Sequence, residues 1–131
     1  LVLDNTNKEA VILAGWCAQN AGESEKALKY YRSAIVQMPD RKAEILNNIG
    51  QLMMSEGKLG EAEKAFSEAV EIKPEFHEAD VNLAILYRQT SRPEQAEQLL
   101  DNVIADLEKD PGQKDFLEQV QNLKARWLEN K

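Results

Sequence analysis

The groups in this chain that could do covalent or acid-base chemistry are few. Of 131 residues, one is a cysteine, Cys17, and one a histidine, His77. Nucleophilic catalysis needs a nucleophile within reach of a base, and a metal needs several converging ligands, so a lone thiol and a distant imidazole supply neither. Cys17 falls in register with Leu52 and Leu86 on the core side of an apolar-periodic stretch, which predicts a small buried apolar residue. His77 opens a later periodic stretch and is expected to be solvated. Gly57-Lys58-Leu59-Gly60 reads as a turn between helices, because no glycine-rich loop opens a helix as a phosphate cradle requires. No catalytic residue, cofactor or metal ligand is expected.

What remains is the chemistry of recognition. Asn48 and Asn82 stand 34 residues apart in the same phase, and an amide can pair with both the N–H and the C=O of an extended backbone. Ile12, Leu13 and Trp16 bring apolar and aromatic groups to one stripe of an earlier segment, where aromatic anchors tend to dominate binding. The equal and opposite expectation for these residues is ordinary: asparagines bonded within their own segments and scattered apolar surface.

Such residues need elements to hold them. The composition, 43% hydrophobic and 30% charged, is that of a globular chain with a real core. Four prolines and six glycines fall almost entirely at the ends of apolar-periodic stretches, where helices stop. The spacing predicts helices over roughly 8–21, 24–38, 42–56, 59–73, 76–90, 92–109 and 113–130, within a few residues at each end. Gly22 and Gly57 sit where a left-handed residue ends a helix, and Ser91-Arg92-Pro93-Glu94 reads as a serine cap with proline in the first turn. The longest apolar run, Val11 to Ala18, is far short of the roughly 20 residues of a membrane span, so no membrane insertion is expected. A net charge of −7 argues against nucleic acid, which is bound by clustered Lys and Arg. A single cysteine leaves the compartment open, leaning towards the cytoplasm.

The segments repeat. Ala27, Tyr31, Ala34 and Pro39 become Ala62, Phe66, Ala69 and Pro74, then Ala96, Leu100 and Val103, with Glu108 in place of the proline. Upstream stand Gly15, Gly50 and Ala84, each followed three places on by Ala18, Met53 and Tyr87. This pattern resembles the tetratricopeptide repeat, W-x2-L-G-x2-Y, then A-x3-F, then P, with a period near 34 residues. The small residues let paired helices approach and the large ones fill the space beside them. Departures are Asp80, where a large apolar residue is usual, and Glu108, which implies a longer helix.

The resemblance implies an all-α fold, an α-solenoid of helix-turn-helix repeats comprising three tetratricopeptide repeats plus a C-terminal capping helix. The expected division is residues 1–7 as the end of a preceding repeat, 8–42, 43–76 and 77–110 as the three repeats, and 111–131 as the cap. Leu1 and Leu3 share the phase of Val70 and Ile72, which suggests an excerpt from a longer array. Apolar surface around Leu1, Leu3, Val11 and Ala14 is then expected to favour self-association through the N-terminal face.

In this family the first helix of each pair lines an inner groove. The expected partner-binding residues are therefore Ile12, Leu13 and Trp16; Asn47, Asn48, Gln51 and Met54; and Val81, Asn82, Ile85 and Arg88. The carboxylate clamp of some family members does not carry over, since its places hold Ile12, Trp16, Asn48, Glu78 and Asn82, and Glu78 would repel a carboxylate. The asparagine ladder of arrays such as that of the O-linked N-acetylglucosamine transferase is matched at Asn48 and Asn82 but broken at Leu13. The function implied is a non-catalytic scaffold that binds a protein or peptide segment. The alternative is a targeting or substrate-presenting domain of a larger enzyme, such as a transferase.

Overall fold

A computed structural model describes residues 5–130, with side chains from Lys8 onward. Seven α-helices occur among them: α1 (Asn5–Asn20), α2 (Ser24–Gln37), α3 (Lys42–Ser55), α4 (Leu59–Ile72), α5 (His77–Gln89), α6 (Pro93–Glu108) and α7 (Lys114–Glu129). Single 3-10 turns precede α3 and α7. The chain divides into two compact units, Leu1–Glu75 and Phe76–Lys131. In the first, α1 pairs with α2 and α3 with α4, and α2 also lies against α3. In the second, α5 pairs with α6 and α7 packs on α6.

The short turns inside the pairs share one geometry. Gly22 and Gly57 have φ of +80° and +75°, and the next residue's N–H closes back on the helix, Glu23 on the Ala18 carbonyl at 2.8 Å and Lys58 on that of Met53 at 2.9 Å. This is the Schellman closure, which needs a left-handed residue and so favours glycine. The third pair closes identically, Arg92 N–H to Tyr87 carbonyl at 2.9 Å, but with Ser91 in the left-handed position at φ +62°. Ser91 is therefore the end of α5 and not the cap of α6. That cap position falls to Arg92, which makes no side-chain capping bond, while Pro93 takes the first turn as expected.

Helix lengths follow the prolines. α2 and α4 stop before Pro39 and Pro74, because a proline disfavours helical geometry in the residue before it. Glu108 imposes no such stop, and α6 runs 16 residues against 14.

Packing within each pair is a match of volumes. A Cβ on Gly15 would lie 2.6 Å from Cε1 of Tyr31, and one on Gly50 would collide with the ring of Phe66. In the third pair the filler is smaller, Leu100, and the facing residue is larger, Ala84; both are fully buried. Around them the second unit gathers Val103, Leu107, Val120 and Trp127, with Phe116, Leu117 and Leu123 alongside. The apolar stripe of α7 is thus spent on α6.

Two further expectations need correction. Cys17 is exposed, although its register mates Leu52 and Leu86 are buried. α3 has α2 of the preceding pair packed beside it in addition to α4, whereas α1 has its main contact with α2 and a lesser one with α3 among the described elements, so the side of α1 that corresponds to the α2-covered side of α3 stays open. His77 is not a solvated loop residue but the first residue of α5, with a side chain only 18% exposed. Of the proposed N-terminal face, Leu1 and Leu3 lie outside the described residues, and Val11 and Ala14 are half-buried.

Candidate functional site

Helical spacing places Glu9, Ile12, Leu13 and Trp16 on one face of α1, at i, i+3, i+4 and i+7. Leu13 and Trp16 are 59% and 52% exposed, an unusual position for large apolar groups on a helix whose opposite side packs well. Together with Arg41 from the 3-10 turn and Asn48 from α3, these residues line an open cavity of about 320 Å3.

Arg41 is held from two sides. Its Nη2 and Nε donate to Oε2 of Glu44 at 2.9 and 3.0 Å, and its Nη1 reaches Oε1 of Glu9 at 3.4 Å. The guanidinium thereby ties the mouth of α1 to the start of α3. Arg41 was not among the residues the periodicity singled out, since it precedes the helix and its partner Glu9 lies 32 residues away. The spacing of Arg41 and Glu44, three residues apart, was the available signal.

The other expected residues fare unequally. On α3, Gln51 is exposed and Met54 half-buried, but Asn47 is buried and already has a polar or charged partner. Its phase is one step around the helix from Asn48, far enough to turn it inward. In the second unit, Val81 and Ile85 pack against the core, and Asn82 has a partner of its own. The Arg88 guanidinium stacks over the Trp127 ring at 4.9 Å, a cation–π contact that occupies the aromatic face. The cavity beside it, lined by Arg88, Pro93, Glu97 and Trp127, measures about 50 Å3, room for a water or two.

Elsewhere the polar groups serve packing. The buried Tyr31 hydroxyl donates to Oε1 of Gln19 at 2.8 Å, and burial, with Cys17 nearby, pushes its pKa up to about 12. Asp80 is buried, and burial raises its carboxyl above the usual range; His77 opposes the shift and Asp106 adds to it. His77 Nδ1 sits 3.7 Å from Asp80 Oδ2, too long for a hydrogen bond. Among the described residues no group of three or more His, Cys, Asp or Glu could hold a metal ion, and no helix is long and apolar enough to cross a membrane.

Comparison with known proteins adds to this geometry. A family model, the cilia and flagella-associated protein 70 middle TPR-like domain, matches residues 8–127. The chain is 30% identical over 120 residues to the DnaJ homolog subfamily C member 7 homolog of Schizosaccharomyces pombe, covering 80% of this chain and 25% of that protein. Over 83 residues it is 34% identical to protein O-mannosyl-transferase Tmtc3 of Drosophila melanogaster, covering 61% of this chain and 9% of the transferase. The chain thus spans a quarter or less of these two relatives. Among solved structures it is similar in fold to NprR in complex with its cognate peptide NprX, with TM-score 0.82, 20% identity, and coverage of 92% of this chain and 38% of NprR. PcrH in complex with the chaperone binding region of PopB gives TM-score 0.76 and 17% identity, covering 92% of this chain and 96% of PcrH.

Proposed function

The chain belongs to the family of tetratricopeptide-repeat (TPR)-like domains, and from that premise we propose that it is a non-catalytic module binding a segment of a partner polypeptide on the inner face of its first helices. The observation that carries this reading is the α1–α3 cavity, where Leu13 and Trp16 stay exposed beside Arg41 and Asn48. A half-exposed tryptophan in a concavity is the kind of anchor on which peptide interfaces concentrate their energy. NprR and PcrH, similar in fold, are each solved with a polypeptide partner, which supports the same use here.

A second reading is favoured by the match to Tmtc3: the domain would present or recruit substrates for an enzyme encoded in the same polypeptide. The two readings share the binding face and differ in what is attached to it. Both forecast that peptides selected by this chain from a random library lose at least about tenfold in affinity on Trp16→Ala, roughly 1.4 kcal/mol. Lys64→Glu, an exposed change on α4, leaves affinity unaltered. The opposite pattern, with Trp16→Ala silent and Lys64→Glu disruptive, would place binding elsewhere.

A further inference from the structure

The α1–α3 cavity contains an arginine, yet it is not built for an anion. Both carboxylates around Arg41 are already engaged with it, and Glu9, Arg41 and Glu44 together carry a net negative charge. Glu44 takes two of the guanidinium donors at close range. Glu9 gives a single contact at 3.4 Å from a side chain 68% exposed, and a carboxylate has lone-pair room for further donors. The available electrostatic handle is therefore Glu9, and it calls for a cation.

Spacing adds a second constraint. Glu9 and Trp16 are two turns apart on one face of α1, about 10 Å along the axis at 1.5 Å per residue. Three residues of polyproline II-like extended chain cover about the same distance at about 3.1 Å each, and with three residues per turn they bring side chains i and i+3 to the same side. The Asn48 amide lines the cavity from α3 and can both donate to and accept from main chain. An extended segment exposes those main-chain groups, whereas a helix hides them.

We propose that this face selects a segment in extended, polyproline II-like conformation bearing a Lys or Arg three positions from a bulky aliphatic residue, the cation meeting Glu9 and the aliphatic side chain covering Trp16 and Leu13. The inference rests on the peptide-binding reading above and names its partner's chemistry. The net charge of −7 adds long-range attraction for a basic partner.

The test is an NMR titration of the whole chain with short, terminally blocked Gly/Ser peptides, which reads weak binding. One carries Lys and Leu three positions apart, one Glu and Leu at that spacing, one Ser and Leu, and one Lys and Leu adjacent. The spaced Lys–Leu peptide should bind about fivefold tighter than the Ser–Leu peptide, the scale of an exposed ion pair. It should also exceed the adjacent version. Glu9→Gln should erase the preference for Lys, and Glu9→Lys should turn it towards the Glu–Leu peptide, with helicity checked by circular dichroism. Peptides that bind alike whatever their charge or spacing, yet all lose affinity on Trp16→Ala, overturn this inference and leave the peptide-binding reading standing. A Glu–Leu peptide that binds best to the unaltered chain, and weakens on Arg41→Gln, overturns it in favour of an acidic partner. Shifts with none of the peptides sink both readings of this face.

Discussion

Gly50 and Phe66 show how a single atom is decided by its partner. A methyl group on Gly50 would run into the buried Phe66 ring, and forcing extra volume into a packed core costs about 1–3 kcal/mol. Helix propensity returns only about 1 kcal/mol for Gly→Ala. Gly50→Ala should therefore lower stability in urea unfolding. The pair Ala84 and Leu100 shows the remedy, so Phe66→Leu should absorb much of the loss. A double-mutant cycle is expected to give a favourable coupling of about 1 kcal/mol or more; strict additivity would mean that the two residues do not share the space.

Asp80 makes an electrostatic case at the same scale. Its folded carboxyl binds a proton more tightly than an unfolded one, because burial outweighs the help of His77. Between the unfolded value and the raised folded value the native chain holds more protons, so stability falls as pH rises through that window and stays lowered above it. Asp80→Asn keeps the shape without the charge. It should unfold at higher urea than the parent at neutral pH, and the advantage should vanish in acid below the ordinary carboxylate range. An advantage that persists unchanged in acid would point to packing in place of charge.

Among the elements, the three turns inside helix pairs are one device written with two residue types. Glycine pays no Cβ penalty at positive φ, whereas a left-handed L-residue costs about 1–2 kcal/mol. Ser91 bears that cost at φ +62° where the other pairs have Gly22 and Gly57. Ser91→Gly should raise stability by up to about 1 kcal/mol, after the larger entropy of an unfolded glycine is set against the relief. The mirror change, Gly57→Ser, should lower it by a similar amount. Equal melting temperatures for parent and Ser91→Gly would show that the strain at this turn is no larger than the entropy cost of an unfolded glycine.

For the whole molecule, charge is the property that reaches furthest. Acidic residues outnumber basic ones 23 to 16, and Arg41, Arg88 and Arg92 are each committed to a carboxylate or a ring. Phosphate-backbone affinity comes from cations that release counterions, and committed ones do this poorly. In an electrophoretic mobility assay the chain should leave duplex DNA unretarded at physiological salt. Retardation that weakens steeply with added salt would reveal a basic surface that the charge balance conceals.

Much of the fold was legible because it obeys local rules. Gly22, Gly57, Pro39 and Pro74 end helices through the geometry of their own backbones, and the Gly50 and Phe66 pairing recurs at a readable period. The Leu117, Val120, Leu123 and Trp127 stripe announced α7 in the same way. The candidate site was legible only in part. Periodicity assigns Trp16 and Asn48 to a face, but it says nothing of what a neighbouring element lays on that face. Cys17 and Leu52 share a register and differ in burial for that reason, and Asn47 turned inward beside an Asn48 that did not. Arg41 entered the site through Glu9, far away in sequence, and Ser91 took a glycine's conformation because the closure of its helix pair required it. Those outcomes depend on which helices pack against which, a property of the assembled chain that no stretch of residues holds by itself.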